Sequence, residues 1–317
     1  MNVNVEESVA PPRQTRIWDI PPQRDFALAL HGGAGGRISE LSQEKQAAFE
    51  AGLSRAYEAG RSVLAAGGSA LDAVCAAVVE LENDDLFNAG RGAALTAEGS
   101  VELDAAVMDG AGVAGAVAAS RHAKNPVLLA RSVMERGQHL FLVSPSESLV
   151  TEWGHQAVDQ AYFITEARQR QLARIQNARL EAPRHGTVGA VARDAGGGVA
   201  AATSTGGMAG QNCGRVGDSP IIGAGTYARG GVVAVSCTGE GEAFIRGVVS
   251  HDIAARMRYL GLTLPEAVTT TIADELTAKN ASGGLVSVGA DGRVVVAHNS
   301  PTMFAAFEDH DGLVTLT

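Results

Sequence analysis

The sequence predicts a mixed α+β fold in which helices and strands occur in separate blocks. Apolar residues recur at helical spacing from 42 to 66 and from 69 to 82. After residue 187, short apolar runs alternate with glycine-rich turns, a pattern typical of strands. The chain has 317 residues, of which 45% are hydrophobic, and this is enough to bury a large core. These observations favour one layered α+β unit over a series of βαβ units.

Composition excludes several classes of protein. The formal net charge of −10 disfavours long-range attraction to nucleic acid or to an anionic membrane. The apolar runs are shorter than the roughly 18 residues that a membrane-spanning helix needs. The chain does not begin with a basic segment followed by an apolar one, and its three cysteines are far apart. We therefore expect a cytoplasmic protein with no nucleic-acid partner and no membrane partner.

The first part of the chain begins with a proline-rich stretch. Residues 1–25 hold four of the ten prolines and little apolar periodicity, which predicts a mobile leader. The run from Phe26 to Leu30 predicts a buried strand that ends in a glycine-rich turn, His31-Gly-Gly-Ala-Gly-Gly36. Ser69 followed by Asp72 is a capping-box pattern and predicts a helix start. The elements predicted before residue 157 are helices over 42–66, 69–82 and 125–134 and a strand over 101–108.

A change in composition divides the chain. Residues 157–186 are polar and rich in arginine, and they predict a helix that trails into an exposed linker. Thr187–Arg193 and Val199–Thr205 then flank a glycine-rich segment, which predicts a β-hairpin. The later elements are strands over 232–237, 284–288 and 294–298 and helices over 242–259 and 264–278. The exposed linker therefore meets a buried strand at the Gly186–Thr187 bond.

Seven motifs follow one another in a specific order: His31-Gly-Gly-Ala-Gly35, Leu86-Phe-Asn-Ala-Gly90, Glu102-Leu-Asp-Ala-Ala-Val-Met-Asp-Gly110, Gly186-Thr-Val-Gly-Ala-Val191, Thr203-Ser-Thr-Gly-Gly207, Gly214-Arg-Val-Gly-Asp-Ser-Pro220 and Ser236-Cys-Thr-Gly-Glu-Gly241. With them the chain resembles the plant-type L-asparaginase and isoaspartyl aminopeptidase family of N-terminal nucleophile hydrolases, over nearly its whole length after the leader. The resemblance implies a four-layer αββα sandwich. It also implies a precursor that cuts itself into an α subunit, 26–186 after the leader, and a β subunit, 187–317.

The resemblance implies that Thr187 is the nucleophile and that its new α-amino group is the base. Such an amine titrates near about 7.7–8.0, so a useful fraction of it is neutral at physiological pH. Thr205 is expected to tune the hydroxyl of Thr187. Thr203 lies on the same face of the strand and is a weaker candidate. The other catalytic groups implied are Thr238 and the Gly239 N–H as an oxyanion hole, and Asn88, which orients the nucleophile.

The implied substrates are L-asparagine and β-aspartyl dipeptides, which carry a free α-carboxylate and a free α-amine. Arg215 suits the carboxylate because its planar fork matches two oxygens. Asp218 suits the ammonium, with help from the Gly241 carbonyl. The resemblance also implies a dimer of αβ units and no organic cofactor. A structural Na⁺ or K⁺ is implied on the backbone carbonyls of Leu81, Glu82, Asp84, Phe87, Ala89 and Arg91.

Two other functions compete with this interpretation. A glycosylasparaginase-like amidase would keep the fold and change the substrate, and the lack of a secretion signal counts against it. An uncleaved, inactive homologue would serve as an amino-acid-binding or scaffold protein. The presence of every expected active-site residue type disfavours that second alternative.

Several residues also have a structural interpretation. Arg215 and Asp218 are also compatible with an ordinary surface ion pair. The motif that begins at His31 lacks the Gly-x-Gly-x-x-Gly spacing of a phosphate cradle. Cys237 fits a small buried thiol better than a nucleophile. Asp104 and Asp109 are expected in turns, His185 is expected in the exposed linker, and a carboxylate at Glu240 would repel anionic substrates.

Overall fold

The computed structural model describes residues 14–23, 25–35, 42–178 and 186–317. It is a mixed α/β structure with two β-sheets and helices packed against them. In chain order the strands are β1 (Arg16–Ile20), β2 (Ala27–Gly35), β3 (Leu103–Asp109), β4 (Ala114–Ser120), β5 (Phe141–Val143), β6 (Thr187–Arg193), β7 (Val199–Thr205), β8 (Thr226–Arg229), β9 (Val233–Gly239), β10 (Gly283–Gly289), β11 (Val294–His298), β12 (Thr302–Asp309) and β13 (Gly312–Leu316).

The helices are α1 (Gln43–Ala65), α2 (Ala70–Asn83), α3 (Pro126–Arg136), α4 (Glu147–Glu152), α5 (Gln160–Phe163), α6 (Glu166–Ala178), α7 (Gly241–Gly247), α8 (Val249–Leu260) and α9 (Leu264–Thr271). The last continues into a π-helical turn, Ile272–Leu276, and a short 3₁₀ turn, Thr277–Lys279. The Ser69 side chain accepts the Asp72 N–H at 3.1 Å and caps α2, as the sequence predicts. None of the helices in the described ranges is long and apolar enough to cross a membrane.

The two sheets place β6 and β7 in the centre of the molecule. The larger sheet has the order β13-β12-β2-β6-β7-β3-β4-β5, and the smaller has β1-β11-β10-β9-β8. All pairings are antiparallel except the one between β4 and β5. The predicted hairpin forms: β6 pairs with β7 so that Thr187 lies opposite Thr205.

Side-chain alternation along β2 explains how the sheet is covered on both faces. Leu28 and Leu30 pack in a core with α1 and α2, whereas Ala27 and Ala29 pack in a second core with residues of β9 and β10. Strand β6 follows the same rule, with Val188 in the first core and Val191 in the second. Thr187 and Val191 therefore share the face that looks toward the smaller sheet.

The prediction of a mobile leader over residues 1–25 is wrong for the part of that segment that the structure describes as a strand. Arg16–Ile20 lie within the predicted mobile leader, yet they form β1, which pairs with β11. Ile20 is buried and Trp18 stacks on His298 with ring centroids 5.7 Å apart. The partner strand lies at the other end of the chain, and no local pattern signals it. Residues 1–13 lie outside the described part of the chain.

Two other predictions need correction. The glycine-rich segment after Leu30 is not a turn: β2 continues through Gly35 because β6 and β12 pair with it on both sides. The helix expected over 242–259 is broken at Val248, whose φ of +47° ends α7 before α8 begins. The helix expected within 157–186 forms as α6, and residues 179–185 of the expected linker lie outside the described residues.

Candidate active site

The predicted nucleophile, Thr187, is the first residue of β6 and follows directly after Gly186. Gly186 has a φ of +149°, a conformation that favours glycine. A β-carbon at this position would lie 2.5 Å from the β-carbon of Asn88, so the site has no room for a side chain. Thr187 is 7% exposed and lines the wall of a small cavity. The predicted scissile bond therefore lies in a tightly held, glycine-dependent backbone.

Thr205 lies beside Thr187, as the sequence predicts. The Thr187 hydroxyl donates to the Thr205 hydroxyl at 3.2 Å. Thr205 in turn accepts the Gly207 N–H at 3.0 Å and donates to the Gly186 carbonyl at 3.5 Å. One hydroxyl thus contacts both the predicted nucleophile and the carbonyl of the predicted scissile bond.

Thr203 belongs to a separate hydrogen-bonded chain. Its hydroxyl lies 2.7 Å from that of Ser236 and accepts from Thr226 at 2.6 Å. The weaker candidate therefore does not contact Thr187 directly, because it lies opposite Gly189.

His31 is a functional candidate that the sequence prediction missed. Its Nδ1 lies 2.9 Å from the Thr187 carbonyl and its Nε2 lies 2.9 Å from the Ser236 hydroxyl. Burial lowers the pKa of His31 to about 3, against the hydrogen bond to Thr187, so the ring is neutral. A carbonyl only accepts, so Nδ1 carries the proton and Nε2 accepts from Ser236. His31 thereby fixes the backbone of Thr187.

Asn88 holds the turn next to Gly186 and Thr205. Its side-chain amide donates to the Gly207 carbonyl at 2.7 Å and accepts the Ala94 N–H at 2.6 Å. Its backbone carbonyl accepts the Gly206 N–H at 2.9 Å. The contacts are to backbone and not to the Thr187 hydroxyl, so Asn88 positions the segment after Thr205 and packs on Gly186.

The predicted oxyanion-hole residues lie at the end of β9. Thr238 is buried and its hydroxyl accepts the Ala34 N–H at 3.1 Å. Gly239 lines the same cavity as Thr187, whereas Thr238 does not. Gly239 has a φ of +150°, and a β-carbon there would lie 2.5 Å from the Cα of Gly283. Gly239 of the predicted oxyanion hole thus faces the cavity, and the Thr238 hydroxyl is hydrogen-bonded to β2.

Arg215 and Asp218 line the cavity of Thr187, but they do not form the simple surface ion pair that was the alternative. Arg215 donates to Glu242 at 2.9 Å and to Gln211 at 3.2 Å. Asp218 is 3% exposed and one of its carboxylate oxygens, Oδ2, has no hydrogen-bond partner. Burial raises the pKa of Asp218 to about 7, although Arg215 opposes the shift.

Gly241 lies between these two side chains. A β-carbon at Gly241 would lie 3.1 Å from Nη2 of Arg215 and 3.1 Å from Oδ1 of Asp218. The structure therefore brings the three predicted substrate-binding residues together. A cationic fork next to an under-satisfied carboxylate is suited to a zwitterionic amino acid.

Two buried carboxylates hold the loop that carries Arg215. Glu102 accepts the Gly214 N–H at 2.7 Å, and Asp104 accepts the Gly217 N–H at 3.2 Å. Asp104 also accepts the Ala119 N–H at 2.9 Å, and burial raises its pKa to about 6. The expectation that Asp104 lies in a turn is wrong, because it lies in β3, opposite Thr205. Asp109 does lie at a turn, where it accepts the Val113 N–H.

The remaining single residues have structural settings. Cys237 is buried and its pKa is raised well above the ordinary value by burial, which does not suit a nucleophile. The Glu240 carboxylate accepts the Ser282 N–H at 3.1 Å, and Glu240 is not among the described residues that line the cavity. His185 lies outside the described residues.

A family model described as asparaginase matches residues 24–317. This chain belongs to the asparaginase family. The isoaspartyl peptidase of Salmonella typhimurium is 46% identical over 294 residues, covering 88% of this chain and 94% of that protein. The Escherichia coli isoaspartyl peptidase is 45% identical over 294 residues, covering 88% of this chain and 92% of that protein. A probable isoaspartyl peptidase/L-asparaginase 2 of Arabidopsis thaliana is 40% identical, covering 91% and 97% of the two chains.

The loop proposed for a cation in this asparaginase-family chain folds closely on itself. Its Glu82 carbonyl accepts the Arg91 N–H at 2.8 Å, and the Asp84 carbonyl accepts the Phe87 N–H at 3.2 Å. Gly90 has a φ of +51°, and a β-carbon there would lie 2.4 Å from the Glu82 carbonyl oxygen. Two of the six candidate carbonyls, those of Glu82 and Asp84, thus accept hydrogen bonds within the loop. Backbone oxygens are ligands of the kind that a hard cation prefers.

Proposed function

We propose that this chain is a self-activating amidohydrolase that cuts its own Gly186–Thr187 bond and then hydrolyses L-asparagine and β-aspartyl peptides. The observation that carries the proposal is the contact of the Thr187 and Thr205 hydroxyls at 3.2 Å, in a cavity that Arg215 and Asp218 also line. The names of the relatives, isoaspartyl peptidase and L-asparaginase, support the same reaction.

In the self-cleavage step, the Thr187 hydroxyl attacks the Gly186 carbonyl carbon and the chain shifts from an amide to an ester. Thr205 stabilises charge on the carbonyl oxygen through its hydrogen bond to that atom. The C–N bond breaks in this shift, the hydroxyl proton passes to the nitrogen, and that nitrogen becomes the free α-amine of Thr187. Water then hydrolyses the ester, which restores the Thr187 hydroxyl and leaves a carboxylate on Gly186. The products are an α subunit that ends at Gly186 and a β subunit that begins at Thr187.

In the mature enzyme, the Thr187 α-amine accepts the hydroxyl proton while the hydroxyl attacks the side-chain carbonyl of the substrate. Arg215 binds the α-carboxylate, and Asp218 with the Gly241 carbonyl binds the ammonium. The Gly239 N–H and Thr238 hydroxyl stabilise the oxyanion, and the amine passes its proton to the leaving nitrogen. Water hydrolyses the resulting β-aspartyl ester, releases aspartate and restores the enzyme.

The proposal includes an αββα arrangement of layers and a dimer of αβ units in the cytoplasm. Helices α1 and α2 pack on the larger sheet, the two sheets face each other, and α8 and α9 pack with the smaller sheet, which supports the layer order. No organic cofactor is part of the mechanism. The carbonyls of Leu81, Glu82, Asp84, Phe87, Ala89 and Arg91 would hold Na⁺ or K⁺, which would supply rigidity around Asn88.

A side-by-side assay tests the function. Purified protein is given L-asparagine, a β-aspartyl dipeptide and a glycosyl-asparagine, and release of aspartate is measured. We expect hydrolysis of the first two substrates. Exclusive hydrolysis of the glycosylated substrate would favour the glycosylasparaginase-like alternative, and no hydrolysis by a chain that stays uncut would favour the scaffold alternative.

A further inference from the structure

The structure holds a second cavity of about 150 Å³, apart from the one that Thr187 lines. Gly186 is the one described residue that lines both cavities. The walls of the second cavity include the glycine-rich end of β2 and the rings of Phe49, Phe87 and Phe304. Its volume equals that of roughly five water molecules, which suits the carboxylate end of a small amino acid.

Arg168, on α6, is the one charged side chain among the described residues that line this second cavity. Its Nε donates to the Gly92 carbonyl at 2.5 Å and its Nη1 donates to Gln171 at 2.9 Å. A guanidinium has five N–H donors, so these two bonds leave others available.

The charged surroundings of Arg168 are sparse within the described part of the chain. Among the residues that the structure describes, no carboxylate forms an ion pair with Arg168. Burial lowers its pKa, and Asp85 only partly opposes this. A partly buried cation with no ion-pair partner among the described residues is costly, and a bound carboxylate would offset that cost.

The chemistry of the proposed reaction directs the leaving group toward this cavity. The leaving nitrogen takes its proton from the Thr187 α-amine, which forms where the bond to Gly186 was. The leaving group therefore passes the position that Gly186 held, and beyond it lies the second cavity. Asparagine releases only ammonia there, whereas a β-aspartyl dipeptide releases an amino acid with a free carboxylate.

We propose that Arg168 binds the carboxylate of the residue that leaves from a β-aspartyl dipeptide and thereby favours dipeptides over asparagine. This inference rests on the proposed function. Self-cleavage also creates a carboxylate on Gly186, which is an alternative partner for Arg168. Loss of that contact would lower the activity toward every substrate equally. A substrate series therefore separates the two sources.

The test uses the mature two-chain protein with Arg168→Met and Arg168→Lys. Arg170→Met is the matched control, because Arg170 lies on the same helix, is exposed and pairs with Glu166. The substrates are β-aspartyl-alanine, its C-terminal amide and L-asparagine. For Arg168→Met we expect kcat/KM to fall about 10- to 100-fold for β-aspartyl-alanine and less than about threefold for the other two. For Arg168→Lys the kcat/KM for β-aspartyl-alanine should lie between those of the wild type and Arg168→Met. Arg170→Met should have the wild-type kcat/KM for all three substrates.

An equal fall for all three substrates would overturn the proposal and indicate the Gly186 carboxylate or a structural role. An unchanged ratio of dipeptide to amide activity would overturn it as well. If a denaturing gel shows that Arg168→Met does not cleave itself, the ratio of dipeptide to amide activity is measured with Arg168→Lys instead. A wild-type protein that hydrolyses none of the substrates would show that the proposed function has failed, independently of any effect of Arg168.

Discussion

Two groups of hydroxyls lie on neighbouring strands and differ in what surrounds them. The open pair, Thr187 and Thr205, lines a cavity, and Thr205 contacts the carbonyl of the predicted scissile bond. The buried trio, Thr203, Thr226 and Ser236, is fully buried. The trio forms a directed chain, Thr226 to Thr203 to Ser236, that ends on His31 and, through it, on the Thr187 carbonyl.

The comparison shows that hydroxyl chemistry alone does not make a nucleophile. In the buried trio each proton has an acceptor within the core, so these hydroxyls fix the backbone. In the open pair the Thr187 hydroxyl lies next to the Gly186–Thr187 peptide and lines a cavity together with Arg215 and Asp218. The open pair should therefore control the reaction, and the buried trio should control stability and alignment.

The largest effect is expected for Thr187→Ala. The variant should remain one chain near 32.5 kDa and lose all hydrolase activity, because both steps need this hydroxyl. A denaturing gel after long incubation and an aspartate-release assay measure the two effects. Thr203→Ala, from the buried trio, is the control and should still cleave. Cleavage of Thr187→Ala at the same bond would contradict the assignment.

Arg215→Met should separate substrate binding from self-cleavage. We expect kcat/KM for both substrates to fall about 10- to 200-fold, because a charge-assisted pair to the α-carboxylate is lost. Self-cleavage should proceed at nearly the wild-type rate, since no substrate is involved. Arg246→Met, an exposed position on α7, is the matched control and should leave kcat/KM unchanged. Loss of self-cleavage with retained substrate affinity would reverse the proposed roles.

The pH profile sharpens the role of Asp218. Binding of an ammonium requires the carboxylate form, and burial raises the pKa of Asp218 to about 7. The kcat/KM value should therefore fall as pH drops below about 7, in addition to the fall caused by protonation of the Thr187 amine near about 7.7–8.0. Asp218→Asn should lose the fall in kcat/KM that protonation of Asp218 causes and keep the fall that protonation of the Thr187 amine causes. An unchanged two-limb profile in that variant would contradict the assignment.

The same raised pKa has a consequence for stability. An acid whose folded pKa exceeds its unfolded value near 3.8 binds protons more tightly when folded, so stability falls as pH rises from about 4 to 7. Asp218→Asn should remove part of this pH dependence. Thermal unfolding at pH 5 and pH 8 measures it. A variant with the same change in Tm as the wild type would show that Asp218 is not the responsible group.

The smallest effect on catalysis is expected in the buried trio. Ser236→Ala removes a partner of both His31 and Thr203 and should lower the free energy of unfolding by about 1–3 kcal/mol. Urea unfolding in a Thr187→Ala background keeps every variant as one chain. In cleaved protein the KM should be unchanged, because Ser236 does not line the substrate cavity. A large rise in KM with unchanged stability would contradict the comparison.

Much of the site follows from local pattern. Strands β6 and β7 have equal lengths and flank a short glycine-rich segment, so the hairpin places Thr205 beside Thr187 without knowledge of the rest of the fold. Resemblance to known motifs supplied the candidates Arg215, Asp218 and Gly241, which the structure gathers in one place.

The missed features depend on partners that are distant in sequence. His31 reaches Ser236 across the two sheets, and its glycine-rich setting suggests a turn until β6 and β12 pair with β2. Glu102 and Asp104 hold the Arg215 loop across more than a hundred residues. Strand β1 exists because β11 offers it an edge, and neither a hydrophobic period nor a turn signal predicts that pairing.

The most direct test of the account is N-terminal sequencing of the smaller fragment from catalytically active protein. The account predicts a fragment that begins Thr-Val-Gly-Ala at residue 187, and activity that appears in step with it. Active protein in which residues 186 and 187 are still joined would contradict the central claim.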